Sequence, residues 1–171
     1  MYKRQAEYLG LIGMANKFRP DVFYIVDSHG SMKQKDVARF FYLIENNLDK
    51  EIDVGFHSHN NLQLSYSNAQ YLAALHTDHN LIIDSSIMGM GRGAGNLNTE
   101  LFVEYLNETA DADYSTEPIL CSIDNTIAPI YLTTSWGYSL SGYLSAKYRC
   151  HQNYARFLSC LLYTSDAADE L

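Results

Sequence analysis

Two histidines stand one residue apart in "VGFHSHNN", where His57 and His59 follow an apolar run and precede Asn60 and Asn61. In an extended strand, residues i and i+2 leave the same face. The two imidazoles therefore project side by side, about 6–7 Å apart along the strand. Neutral imidazoles so placed can converge on one cation, with zinc, manganese, iron or nickel as the suitable metals, and a mixed nitrogen and oxygen site usually adds a carboxylate. The competing reading is a pair of hydrogen-bonding histidines at the start of a loop. Placement at a strand end, beside two asparagines, favours the metal. His76, His79 and His151 have no partner at metal-ligand spacing and read as surface or packing residues, and His29 reads as exposed.

A second chemical feature is the loop "GMGRGAGN", from Gly89 to Asn96. Gly89, Gly91 and Ala94 fit the spacing G-x-G-x-x-A of dinucleotide-binding turns. That motif expects an acidic residue about twenty positions on, at the end of another strand. Here that region is a polar loop around Asp111, so dinucleotide binding is disfavoured. Glycines also let backbone amides approach a ligand closely, where they can hold a carboxylate or an enolate oxygen. Asn96 could present its side-chain carbonyl to a metal, while a plain strand-to-helix turn is the bland alternative. Asp27 and Ser28 end an apolar run, where both residue types serve turns and helix caps. The functional alternative puts Ser28 beside a substrate.

These residues need elements to hold them. "DVFYIVDSHG" and "IDVGFH" are short apolar runs closed by turn residues, and they read as buried strands, the first over Val22 to Val26; "LIIDSSIMG" reads as a third. Ala6 to Phe18 reads as a helix with Tyr8, Leu11, Ile12 and Ala15 on one stripe, ended by Pro20. Val37, Phe40, Phe41, Ile44 and Leu48 mark an amphipathic helix. Leu64 to His76 is another, with Ala69, Leu72 and Ala73 inward, and a fourth starts near Thr99. Strand and helix alternate at roughly thirty residues, the βαβ signature. Strands apolar on both faces fit a parallel sheet covered by helices. Both architectures built this way, the open doubly wound sheet and the eight-stranded barrel, place their sites in loops after the strands. Asp27-Ser28, His57 to Asn61 and Gly89 to Asn96 all fall there. After Asn107 the pattern changes to a helical segment: Pro118 to Ile130, then two short aromatic-rich helices. Trp136 and its tyrosines read as a packed helical core.

The 171 residues, at net charge −8 and 47% hydrophobic, make one ordinary domain or a part of one. No run of 18 apolar residues occurs to cross a membrane, and no signal peptide is recognisable. An acidic chain without a Lys/Arg cluster argues against nucleic acid as the main partner. Cys121, Cys150 and Cys160 are scattered and odd in number, which fits reduced thiols in a cytoplasmic protein. "MYKRQ" and "CLLYTSDAADEL" resemble translated sequencing-adapter read-through and read as foreign to the fold. The expected organisation is therefore 1–5 foreign, 6–107 α/β, 108–159 helical and 160–171 foreign.

"VDSHGSM", "VGFHSHNNLQLSYSNA" and "IDSSIMGMGRGAGNLNTE", in this order, resemble the HMG-CoA lyase-like (HMGL-like), or DRE-TIM metallolyase, superfamily. Within it they look most like the pyruvate-type aldolases that act on 4-hydroxy-2-oxovalerate. The resemblance spans about Ala6 to Asn107. It implies a partial TIM (β/α)8 barrel, the last three βα units with strands six to eight, followed by the C-terminal helical segment. It implies His57 and His59 as ligands of a divalent metal, manganese first, with magnesium or zinc as alternatives, and Asn96 as a ligand found in some members only. Ser28, Gly91 and Gly93 match positions near the substrate. The implied reaction is cleavage of a 4-hydroxy-2-oxo acid to pyruvate and an aldehyde, with the metal as Lewis acid and a base taking the hydroxyl proton. An aldehyde dehydrogenase partner and a homo-oligomeric complete enzyme belong to the same expectation. The family's aspartate ligand, its arginine and its catalytic base lie on a first strand that has no counterpart here. Three strands of eight leave a barrel open, so the chain alone is expected to be inactive and poorly stable. The alternatives are a Claisen-type acyltransferase of the isopropylmalate or homocitrate synthase kind, for which no acyl-CoA site is visible, and an inactive barrel remnant.

Overall fold

Three short apolar segments pair as a parallel sheet in a computed structural model that describes residues 2–151 together with 153, 154 and 157. The strands are β1 (Val22–Asp27), β2 (Asp53–Ser58) and β3 (Leu81–Ile83), in the order β1-β2-β3. In the register, Ile25 lies beside Phe56, Val26 beside His57 and Asp27 beside Ser58. Phe56 in turn lies beside Ile83. Parallel neighbours need a crossover, and helices supply it: α1 (Tyr2–Phe18) precedes β1, α2 (Gln34–Asn47) and α3 (Ser65–Ala73) join the strands, and α4 (Thr99–Thr109) follows β3. The fold class is α/β with a parallel sheet, as the alternation predicts. Helix α1 runs unbroken through Gln5 into Ala6. The reading of 160–171 as foreign falls outside the described residues.

The core lies between one face of the sheet and the helices. Ile25, Val54 and Phe56 are buried against Ile12 of α1, Val37, Phe41 and Ile44 of α2, Leu72 of α3 and Phe102 of α4. The predicted stripe of α2 is realised, because Val37, Phe41 and Ile44 recur at i, i+4 and i+7. The stripe of α1 is narrower than its sequence implies. Ile12 and Ala15 are buried and Tyr8 packs on Phe23 and Phe40, but Leu11 is exposed. The other face of the sheet also departs from expectation. Among the described residues nothing covers it fully, and Val26 is 46% exposed while its neighbour Ile25 is 2% exposed. Tyr24, Gly55 and His57 alternate onto that same open face.

The third strand is shorter than "LIIDSSIMG" implies. It pairs only over Leu81–Ile83, and a 3-10 turn forms at Ile87–Gly89. Positive φ values of 55° at Met88 and 61° at Gly89 turn the chain there, which a strand cannot accommodate. Beyond α4, the expected helix over Pro118 to Ile130 is interrupted: α5 (Glu117–Ser122) passes through a π-helical turn at Ile123–Ile127 into α6 (Ala128–Thr133). Pro129, in the first turn of α6, lacks the amide a regular continuation would use. Of the aromatic-rich tail, α7 (Leu140–Tyr148) is described, with the Ser139 hydroxyl accepting from the Gly142 amide at 3.1 Å as its N-cap.

Phe56 sits at the centre of the sheet, so Phe56→Ala is expected to cost about 3–5 kcal/mol by leaving a cavity. Leu132, 87% exposed, should tolerate the same truncation within about 0.5 kcal/mol. Urea denaturation followed by circular dichroism measures both.

Candidate functional site

The carboxyl ends of the three strands gather the polar residues. Asp27 ends β1, and its buried carboxylate accepts the amides of Ser31 at 2.9 Å and Met32 at 2.8 Å. That carboxylate shapes the loop into α2, which realises the turn role read for it and leaves Ser28 exposed beside it. Gly30 (φ 55°) closes the same loop, because a Cβ there would stand 2.6 Å from the Asn61 amide nitrogen. Asn61 is buried and donates from Nδ2 to the Gly142 carbonyl at 3.0 Å, so α7 docks directly on this end of the sheet.

His57 is the second-to-last residue of β2, and His59 follows its end. Their ring centroids are 5.2 Å apart with planes nearly perpendicular, at 87°. The side-by-side projection expected from the i, i+2 spacing is therefore present. The Asp84 carboxylate, just after β3, approaches His57 Nδ1 at 3.0 Å. The backbone of His59 pairs with that of Asn96 in the glycine loop, and the His59 side chain is half-buried there. Burial pushes the His59 pKa below its ordinary value, and the neighbouring His57 adds to this, while the Asp27 charge, the Gly95 carbonyl and the Asn96 side chain work in the opposite direction. The Asn96 amide comes close to His59 without the geometry of a hydrogen bond. Its Oδ1 is buried and has no hydrogen-bond partner.

The glycine loop sets that oxygen's direction. Asn96 Nδ2 donates to the Met90 carbonyl at 3.1 Å, and a Cβ at Gly91 would stand 2.6 Å from Nδ2. Gly91 thus makes room for the Asn96 amide, which turns Oδ1 away from Met90. Gly93 (φ 63°) accepts the Gly137 amide through its carbonyl at 2.8 Å. The dinucleotide fingerprint is not fulfilled in space, since its glycines should open a helix and α4 begins only at Thr99. Trp136 also differs from the expected helical core. Its indole Nε1 donates to the Met88 carbonyl at 2.8 Å and its ring meets Tyr131, so it clamps the glycine loop.

His57 and His59 line separate cavities here. One, of about 410 Å³, is lined by His57, Ile83, Asp84, Ser85 and Asn96. The other, of about 240 Å³, includes Ser28, His59, Asn61 and Arg92 in its wall. The structure therefore brings His57 together with Asn96, and Ser28 with His59, whereas Gly91 and Gly93 line neither cavity. Among the described residues, no three His, Cys, Asp or Glu side chains cluster as a metal site. The donor set still suits a divalent cation in part: two imidazoles at close range and an orphaned carbonyl oxygen supply nitrogen and oxygen ligands, with the carboxylate such sites usually add outside the set. Sequence reasoning passed over Asp84, Tyr24 and Arg92. The signal for the first two was Gly55, a glycine inside a strand, which marks a close approach by a neighbour.

A parallel α/β sheet with polar loops at the strands' carboxyl ends serves many kinds of enzyme, and comparison with known proteins narrows the class. The HMGL-like family model matches residues 4–126, and the chain belongs to that family. It is 36% identical over 104 residues to a 4-hydroxy-2-oxovalerate aldolase of Pseudoalteromonas translucida, covering 61% of this chain and 29% of that protein. It is 39% identical over 94 residues to one of Chloroflexus aurantiacus, covering 55% and 26%. Among solved structures, it resembles the N-terminal domain of a "putative aldolase" from Bacteroides vulgatus with a TM-score of 0.76 and 31% identity, over 91% of this chain and 50% of that one. The chain thus spans under a third of the length of these curated relatives.

The His59 shift has a pH signature. Its pKa in the fold lies below the ordinary 6.5, so the unfolded chain takes up the proton first as pH falls. The stability this contributes is complete above about pH 7 and is lost as pH drops through 6.5 toward the lowered value. Urea midpoints of the metal-free chain from pH 8 to pH 5 should show this loss, and His59→Gln should flatten the curve relative to wild type.

Proposed function

We propose that β1, β2 and β3 are the sixth, seventh and eighth strands of a (β/α)8 barrel. The complete enzyme would then be a divalent-metal-dependent aldolase that cleaves a 4-hydroxy-2-oxo acid to pyruvate and an aldehyde. The observation that carries this reading is the pair of imidazoles, 5.2 Å apart between ring centroids at the carboxyl end of β2, with Asn96 lining a cavity beside His57. Coverage supports the barrel: the chain aligns with half of one aldolase domain and with 26–29% of the aldolases named above. In this reading the barrel part is 6–107, the helical segment 108–159, and the two ends are foreign to it.

His57, His59 and Asn96 would hold the cation, manganese first, with magnesium or zinc as alternatives. A cation so bound supplies Lewis acidity toward the keto oxygen of a 2-oxo acid. The chain's own residues do the rest of the positioning. Asp84 holds the His57 ring, Gly91 makes room for the Asn96 amide, and Ser28, exposed on the loop that Asp27 pins, faces the cavity shared with His59 and Arg92. Ser28 and the amides around Gly91 and Gly93 are the proposed substrate contacts, with Arg92 a cationic neighbour for a carboxylate. The base that takes the hydroxyl proton is assigned to the part of the barrel that β1–β3 do not include. A cytoplasmic homo-oligomer that passes its aldehyde to a dehydrogenase completes the proposal.

In a complete enzyme carrying this segment, His57→Ala and His59→Ala should each lower manganese-dependent pyruvate release by at least about 100-fold, read by coupling pyruvate to lactate dehydrogenase. Release that survives both changes would sink the metal reading. A requirement for acetyl-CoA would move the enzyme to the acyltransferases. The 171-residue chain alone should release no pyruvate from a 4-hydroxy-2-oxo acid, and a cooperatively folded, active chain would overturn the assignment of the base elsewhere.

A further inference from the structure

Tyr24 of β1, His57 of β2 and Asp84, directly after β3, form a line across the open face of the sheet. Tyr24 of β1 donates its phenol proton to Asp84 Oδ1 at 3.1 Å, and Asp84 Oδ2 meets His57 Nδ1 at 3.0 Å. The line crosses β2, because Tyr24 belongs to β1 and Asp84 directly follows β3, the two strands that flank it. Only the absence of a side chain at Gly55 permits this. Gly55 is the register partner of Tyr24, and a Cβ there would stand 2.5 Å from three carbons of the Tyr24 ring. The Asp84 amide, donating to the Phe56 carbonyl at 3.0 Å, carries the β2–β3 ladder one residue past β3 and sets Asp84 beside His57.

We propose that Asp84, steadied by Tyr24 across Gly55, is a positioning residue that fixes the tautomer and the orientation of His57. An ionised carboxylate can only accept, so His57 Nδ1 must carry the proton in this contact. In the neutral ring Nε2 is then left with its lone pair, the form in which an imidazole binds a divalent cation. The Tyr24 phenol gives Asp84 a second donor, so each carboxylate oxygen has one partner and the group has one orientation. Burial raises the Tyr24 pKa, and the bond to Asp84 and the Asp84 charge raise it further, which keeps the phenol a donor at neutral pH. The role of the Nε2 lone pair rests on the proposed metal site, whereas the tautomer does not.

The test separates the two. In a complete enzyme carrying this segment, stripped of metal and with 15N-labelled histidine, the long-range 1H–15N spectrum, assigned by the loss of one ring in His57→Gln, reports which nitrogen carries the proton. Wild type should show His57 in the Nδ1–H form near pH 8. Asp84→Asn and Gly55→Ala should both shift it toward Nε2–H or a mixture, and Tyr24→Phe should shift it less. A wild-type His57 in the Nε2–H form overturns the proposal even if every variant fails to fold, and so does a tautomer unchanged in a folded Asp84→Asn. Manganese affinity, titrated by water-proton relaxation, is the second readout. Asp84→Asn should weaken it about 10–100-fold, and unchanged affinity would overturn the orienting role. An Nδ1–H wild type that binds no manganese would uphold the Asp84 contact and remove the aldolase reading instead.

Discussion

The parallel ladder that holds β2 between β1 and β3 is the constraint on which the site depends. β2 is the one described strand paired on both edges, and its register turns distant sequence positions into lateral neighbours. It sets Val26 beside His57 and Asp27 beside Ser58. A slip of one residue would send His57 into the hydrophobic core and bring Phe56 out onto the open face. The burial of Val54 and Phe56, each about 2% exposed or less, is what makes such a slip costly. Core packing on one face of the sheet therefore fixes the geometry of the chemistry on the other.

Much of this was legible in the sequence, for a physical reason. Apolar runs bounded by turn residues announce buried strands, and Val37, Phe41 and Ile44 announce the inward stripe of α2, because burial imposes a period on residue type. The i, i+2 spacing of His57 and His59 gave their shared face for the same reason. Contacts between strands left weaker marks. Asp84 looks in sequence like one of several polar residues after a strand, and only the three-strand register sets it beside His57. Leu11 misled because a helical stripe does not state how wide the surface beneath it is. Met88 misled because a left-handed conformation at a methionine has no signature in residue type.

The loops at the strand ends hold one another. Asp27 spends its carboxylate on two amides of its own loop, Gly30 lets Asn61 approach, and Asn61 reaches the Gly142 carbonyl at the start of α7. The helical segment after α4 is in this way part of the site's wall. Each bond satisfies a polar group that would otherwise be buried without a partner. Satisfaction is not complete at this end: Asn96 Oδ1, Ser58 Oγ and Ser86 Oγ are buried without a hydrogen-bond partner among the described residues.

Trp136 is the single tryptophan of the chain, and its indole rests on the turn that aims Asn96. Its emission is therefore a built-in optical probe of the glycine loop, unmixed with signal from any other indole. Changes in the loop's hydration or contacts would register as a shift in wavelength or quenching without a label being introduced.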